Sequence, residues 1–410
     1  MGSRQRRRVP TARSVAICLA AGAAAFTLLL SSHHPARADE TLTLIDKIDV
    51  GGNGLGAFDI SFVDPSIDLY VLSDRTNASV DFIDTNHDNF LFRVGGFKGV
   101  VLNPNGTANN SLSGPDGVVI VNNREVWAGD GDSTVKVIDI ATRKIVDTIS
   151  TGGQFRADED SWDPRDHIVA IANNADTPPF LTLINTDTHK IIKRITFDGT
   201  NGAPNATNGL EQSQYSPATG MFYVSVPQVG SDATDGGVAV IDPHSQKVVA
   251  TFLVQDCTPA GMALGPHRQA LLGCSASFGT SPNVLTQSVV IDIANGDIKA
   301  NVTQVGGSDE VWYDRGSNNY YLGARSNTDN TGKVTPILGV IDASSNTFDP
   351  SPVTSTTAHS VAADSGNRHV FLPIGFVPPG SPAGTDPTNP CPQHGCIAVY
   401  VPSGRREASR

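Results

Sequence analysis

The sequence predicts an all-β fold, a seven-bladed β-propeller. Three observations carry this: a turn-rich composition, a strand motif returning about every 50 residues, and an opening strand with no partner strands ahead of it. The chain has 410 residues with 40 Gly, 26 Pro, only 3 Met and 39% hydrophobic residues. That is enough apolar material for a large core, cut into short strands by tight turns.

The motif is a hydrophobic strand closing on Ile-Asp or Ile-Asn. It occurs at Val80–Asp84, Val135–Asp139, Leu181–Asn185, Val238–Asp242, Ser288–Asp292 and Leu338–Asp342, and a related strand without the Asp occupies Ile397–Val401. Each copy is usually followed by a turn and another strand, as in Ala141–Ile149, and preceded by a strand pair such as Gln212–Tyr215 and Gly220–Val226. Four strands per repeat of this length make a propeller blade. The Asp is placed to accept hydrogen bonds from the turn backbone behind it. Seven units can be counted, the last lacking its outermost strand. The opening segment Thr41–Val50 is therefore expected in the last blade, where it closes the ring and removes a sheet edge. Long insertions are expected at Val229–Gly236, Ala276–Thr286 and Phe376–Gly395.

This repeat resembles the YVTN family of β-propeller proteins. The matching residues are Ser216–Gly220 with Tyr223-Val224, and Asp139–Thr142. The resemblance spans nearly all of the chain after residue 38 and implies a seven-bladed ring. It implies little about activity, because propellers serve enzymes and passive binders alike.

Residues 1–38 read as a signal peptide, with Arg4–Arg13 as a basic start, Val15–Leu30 as an apolar stretch and Ala36-Arg37-Ala38 as the cleavage site. Residues 39–410 are then one propeller domain, periplasmic or secreted, with no membrane span after cleavage and expected as a monomer. Export leaves Cys257, Cys274, Cys391 and Cys396 in an oxidising compartment, and near-neighbour disulfides are expected, Cys257 with Cys274 and Cys391 with Cys396. A competing reading makes Cys391, His394 and Cys396 a metal clip. Residues 1–38 hold six Arg and no acid, so the remainder carries 23 bases against 41 acids, a net charge of −18. Such a surface repels phosphate backbones, and nucleic-acid partners are excluded.

Aligning the innermost strands reveals residues that the repeat does not explain. Four positions before the hydrophobic residue that precedes each inner turn lie Asp59, Asp158, Glu211, Ala260, Asp309 and His359, with Asp116 at the matching position of blade 2. Five blades thus bring a carboxylate, and one a histidine, to the same point on the central channel. Glu159, Asp160, Glu310 and Gln212 flank the ring. Ionised carboxylates converging on a narrow channel repel one another, so a bound cation, protonation, hydration, or hydrogen bonds from backbone N–H groups must offset the charge.

Asp59, Asp116, Asp158, Glu211 and Asp309 are the candidate ligands for Ca²⁺ or another divalent cation, which takes oxygen donors. Glu211, Asp309 and His359 are the candidate catalytic groups. His87, His167, His189, His244, His267 and His369 fall in turns or outer strands and read as surface residues. No G-x-S-x-G, H-E-x-x-H, P-loop or C-x-x-C-H motif is present, so no haem is expected. Two functions fit. The first is an exported propeller holding a small ligand or divalent cation at the acidic channel. The alternative is a metal-dependent hydrolase resembling the propeller lactonases, in which channel carboxylates hold Ca²⁺ and the metal polarises an ester or lactone carbonyl.

Overall fold

The computed structural model describes residues 41–274, 286–329, 331–377 and 386–403. The signal-peptide reading and nearly all of the 276–286 insertion lie outside the described residues.

The Ile-Asp motifs form the third strand of successive blades: Ser79–Asp84, Thr134–Asp139, Phe180–Asn185, Gly236–Asp242, Gln287–Asp292 and Ile337–Asp342. These strands are buried almost end to end because each is sandwiched between neighbouring blades. The terminal carboxylate turns the chain as its position predicts. Asp84 accepts from the amides of Asn86 and His87, Asp139 from Thr142, Asp242 from His244, Asp292 from Ala294 and Asp342 from Ser344 and Ser345, all at 2.8–3.0 Å.

Among the described residues there are seven four-stranded antiparallel sheets. Their innermost strands are Ser61–Asp64, Val118–Val121, Asp160–Asp163, Ser213–Ser216, Pro259–Leu264, Val311–Asp314 and Ala362–Ala363, which define blades 1 to 7. In blade 7 the outermost position is taken by Thr41–Ile48, antiparallel to Cys396–Ser403 from Thr41 opposite Ser403 to Ile48 opposite Ile397. The first and last described strands thus share one sheet. Helix is confined, among the described residues, to the three-residue 3₁₀ turns Asn110–Leu112 and Pro266–Arg268, and no helix is long and apolar enough to cross a membrane.

The core is divided among the blade interfaces. One apolar cluster joins blades 3 and 4 through Leu181, Leu183, Phe197, Phe222 and Val224. Another joins blades 7 and 1 through Phe371, Ile397, Tyr70 and Leu72. Equivalent clusters fill the other five interfaces. Each blade therefore needs both neighbours to bury its faces, and the sheet hydrogen bonds alone do not hold the ring.

Both disulfides follow the near-neighbour pairing, with Cα–Cα separations of 4.9 Å for Cys257–Cys274 and 5.8 Å for Cys391–Cys396. With both of its sulfurs bonded to each other, the Cys391–His394–Cys396 stretch is a covalent staple and not a metal clip. Two histidines expected at the surface are half-buried instead: His189 Nδ1 lies 2.9 Å from Asp147 and His369 Nδ1 3.0 Å from Asp88. Their turns fold against neighbouring strands, which a pattern of local hydropathy does not reveal.

Removing Thr41–Ile48 uncovers the backbone edge of Cys396–Ser403 and takes Leu42 and Ile48 out of the two apolar clusters that flank blade 7. The truncated protein should aggregate on heating or lose its single cooperative transition, as read by calorimetry and light scattering. A truncated form that melts like the parent would show that this pairing is dispensable.

Candidate ligand site at the channel mouth

The ring expected from sequence assembles because each of its members has the same backbone register. The amides of Asp59, Asp116, Asp158 and Glu211 donate to the carbonyls of Ser73, Gly129, Ala172 and Ser225 on the second strand of their own blades, at 2.7–3.0 Å. Between blades, the Asp116 carbonyl accepts from Ile60 and the His359 carbonyl from Glu310. Close approach demands glycine here. A Cβ at Gly117 would overlap the Asp158 carbonyl, and one at Gly323 would lie 2.7 Å from the His359 carbonyl oxygen.

The charge at the ring is balanced by residues that sequence reasoning missed. Arg75 reaches into the channel and its guanidinium bridges Asp59 and Asp116, while its Nε donates to the Pro115 carbonyl at 3.3 Å. Arg156 lies 2.7 Å from Asp158, 3.2 Å from Asp59 and 3.6 Å from Asp116. Arg325 lies 2.7 Å from Asp309. The register contains the signal that would have found two of them. Arg75 and Arg325 both stand two residues after the second-strand residue paired with the ring, Ser73 in blade 1 and Gly323 in blade 6. In blade 3 that position is Asn174, which contacts Glu211 at 3.5 Å and Arg156 at 3.2 Å.

Three of the five predicted ligands, Asp59, Asp116 and Asp158, do come together, with carboxylate oxygens within 4.8 Å of one another. Their oxygens face Arg75 and Arg156, so an ion entering this trio would have to displace guanidinium groups. Glu211 and Asp309 lie apart from the trio on the same cavity, and Glu211 has only Asn174 as a side-chain hydrogen-bond partner among the described residues. Gln212, which the sequence places beside Glu211 at the ring, serves the fold. Its Oε1 accepts from the amides of Met262 and Val311 and its Nε2 donates to the Val311 carbonyl, tying blades 4, 5 and 6 together. His359 stacks on Phe58 with ring centroids 4.5 Å apart, its Nδ1 3.0 Å from the Thr357 carbonyl and its Nε2 3.4 Å from Asp59.

Phe58, Asp59, Arg75, Arg156, Asp158, Glu211, Asp309, Arg325 and His359 line a cavity of about 340 Å³ at the channel mouth, together with Asn110, Glu159, Glu310, Thr356 and Thr357. Burial raises the Asp59 carboxyl, but Arg75, His359 and Arg156 outweigh it and hold that carboxyl well below the usual range. Asp158 is pushed up to about 7 by burial, against the pull of Arg156. Glu211 rises well above the usual glutamate range through burial and the like charges of Asp158 and Asp309. Two poles result: an Asp–Arg network in which Arg75 and Arg156 serve three carboxylates, and a Glu211 side that lacks a direct cationic partner.

No family model and no curated protein matches this sequence. Among solved structures, a chain of Kuenenia stuttgartiensis hydrazine synthase is similar, with a TM-score of 0.60 and 13% identity over 79% of this chain and 94% of that chain. The likeness is one of fold. It supports the seven-bladed ring and carries no statement about the chemistry at the channel.

Removing one partner of a buried ion pair strands the other charge. Arg75→Met should lower unfolding stability by about 3–5 kcal/mol, and Asp116→Asn added to it should recover part of that loss, as measured by urea denaturation. A single variant as stable as the wild type would show that the network does not neutralise the ring. The pH dependence has a defined sign. A carboxyl raised in the folded state holds a proton that the unfolded chain has released, so its contribution is present at low pH and is lost as pH rises from about 4 to about 7. Stability should fall across that window, and Asp158→Asn should flatten the fall in melts at pH 4.5, 6 and 7.5; an unchanged slope would refute the assignment.

Proposed function

We propose that this chain is an exported propeller of the YVTN repeat type that binds a small positively charged ligand at the channel mouth, a hydrated divalent cation being the simplest. The observation that carries this reading is the unbalanced half of the cavity. Glu211 faces it with no direct cationic partner, beside Glu310 and an Asp309 paired with Arg325, whereas Asp59, Asp116 and Asp158 share Arg75 and Arg156. The volume, about 340 Å³, exceeds what a bare ion fills, since a water takes about 30 Å³, and lies at the lower end of small-molecule pockets. Glu211 and Asp309 would meet the positive group, and His359 and Arg325 would contact the ligand's polar remainder. The two disulfides support export to an oxidising compartment.

The second reading, a metal-dependent lactonase- or esterase-like hydrolase, draws support from the clustering of Asp59, Asp116 and Asp158. The guanidinium groups seated on that trio weigh against a divalent cation there, because like charges at 3 Å repel strongly in a channel with little water. In the first reading the protein needs no nucleophile.

Thermal melts in Ca²⁺, Mg²⁺, Mn²⁺ and small alkylamines, each with a chelator control for the metals, test the proposal. A ligand at a hundredfold excess over its Kd should stabilise by about 2.7 kcal/mol, and Glu211→Gln should abolish the gain. Melting that is indifferent to every metal, amine and chelator would remove both readings. Stabilisation by metal that survives Glu211→Gln but is lost in Asp158→Asn would favour the trio, and with it the hydrolase.

A further inference from the structure

The channel holds a second cavity whose chemistry differs from the first. It has a volume of about 200 Å³ and is walled by Phe62, Trp162 and Trp312 from blades 1, 3 and 6. Phe62 and Trp312 meet edge to face at 5.4 Å, across a blade 7 whose innermost strand is only Ala362-Ala363. Glu159 and Glu310 line both cavities and so form the partition between them. Their carboxyl groups are hydrogen-bonded to each other, and burial together with mutual repulsion raises Glu159 well above the usual range.

Three features separate this chamber from the channel mouth. No Lys, Arg or His lines it, whereas three arginines line or reach the other. Asp160, also in its wall, has both carboxylate oxygens buried without a hydrogen-bond partner among the described residues. The Trp162 indole N–H is likewise buried and unpaired. Buried polar groups are ordinarily satisfied, so the bare Asp160 carboxyl adds to the wall an acidic group that no base offsets.

Aromatic faces attract a cation through their quadrupole, and a wall of acids without bases repels anions. A bare inorganic cation gains little from indole faces, because it must shed water that they do not replace. An alkylammonium presents an apolar surface to the rings and its charge to the carboxyl partition. We infer that the aromatic chamber is a second binding site, for a small organic cation, independent of whatever occupies the channel mouth.

The test is calorimetric titration of the purified protein with tetramethylammonium chloride, with tert-butanol as a neutral molecule of similar shape and sodium chloride as the ionic-strength control. Tetramethylammonium should bind saturably and tert-butanol at least tenfold more weakly. Trp312→Leu and Glu310→Gln should each weaken the cation at least tenfold. Quenching of intrinsic fluorescence should accompany binding, since Trp162 and Trp312 are two of the three tryptophans. Variants are compared only where their melts match the wild type, and Phe62→Leu replaces Trp312→Leu if the latter does not fold. Binding lost in Glu211→Gln but kept in Trp312→Leu would put the cation at the mouth and overturn the inference while leaving the channel-mouth reading intact. Equal affinity for tert-butanol, or no saturable binding, would also overturn it.

Discussion

The structure depends on the neutralisation of acid inside its own axis. Seven innermost strands converge on one channel, so any side chain repeated at a fixed register is multiplied there. With aspartate or glutamate at that register in five blades, the ring would hold several negative charges at short range in a poorly hydrated space. Arg75, Arg156 and Arg325 answer this by reaching inward from just beyond the second strand or just before the innermost one. The pairs of Arg75 with Asp116 and of Arg156 with Asp59 and Asp116 cross blade boundaries, so neutralising the charge also clamps the blades. Three of these pairings place both groups out of water, where a missing partner costs far more than the intact pair contributes.

The pairing is uneven around the ring, and the unevenness creates the site. In blades 1 to 3, Arg75 and Arg156 are shared among three carboxylates. Blades 4 and 6 hold Glu211 and Glu310, where burial and like charge keep carboxyl groups in their neutral form or leave them in need of a cation. Blade 5 contributes Ala260 in place of an acid, and Gln212 fills the polar demand of the neighbouring backbone instead. The cavity therefore meets carboxyl groups without a direct cationic partner at blades 4 and 6. Further along the axis the same strands change character from charged to aromatic, with Glu159 and Glu310 at the transition. One channel thus presents two different surfaces to a solute.

The blades themselves rest on a simpler device. In blades 1 to 6 the third strand is buried between its neighbours and ends in an Asp or Asn that accepts from the amides of the turn behind it, so local hydrogen bonding and interblade packing agree on the same boundaries. That agreement made the fold readable. Val135–Asp139 and its counterparts announce strand, burial and turn in five residues, and the register of Asp59, Asp116, Asp158, Glu211, Asp309 and His359 follows from aligning the innermost strands that precede them.

What the amino-acid sequence determined by itself is the material that is periodic: the blade count, the acidic ring and the cysteine pairs close in the chain. Periodicity survives in one dimension because every repeat meets the same neighbours. The counter-charges are not periodic. Arg75 and Arg156 lie 41 and 40 residues from Asp116, in segments that read as ordinary turns, and only closure of the ring brings their guanidinium groups to its carboxylates. Gln212 likewise looks like a companion of Glu211 in sequence, yet adjacent strand residues point to opposite faces, and its amide spends itself on blades 5 and 6. Tertiary structure alone decided which carboxylates are matched, which are left facing the cavity, and where the aromatic chamber begins, because each of these is set by distances across the channel and not along the chain.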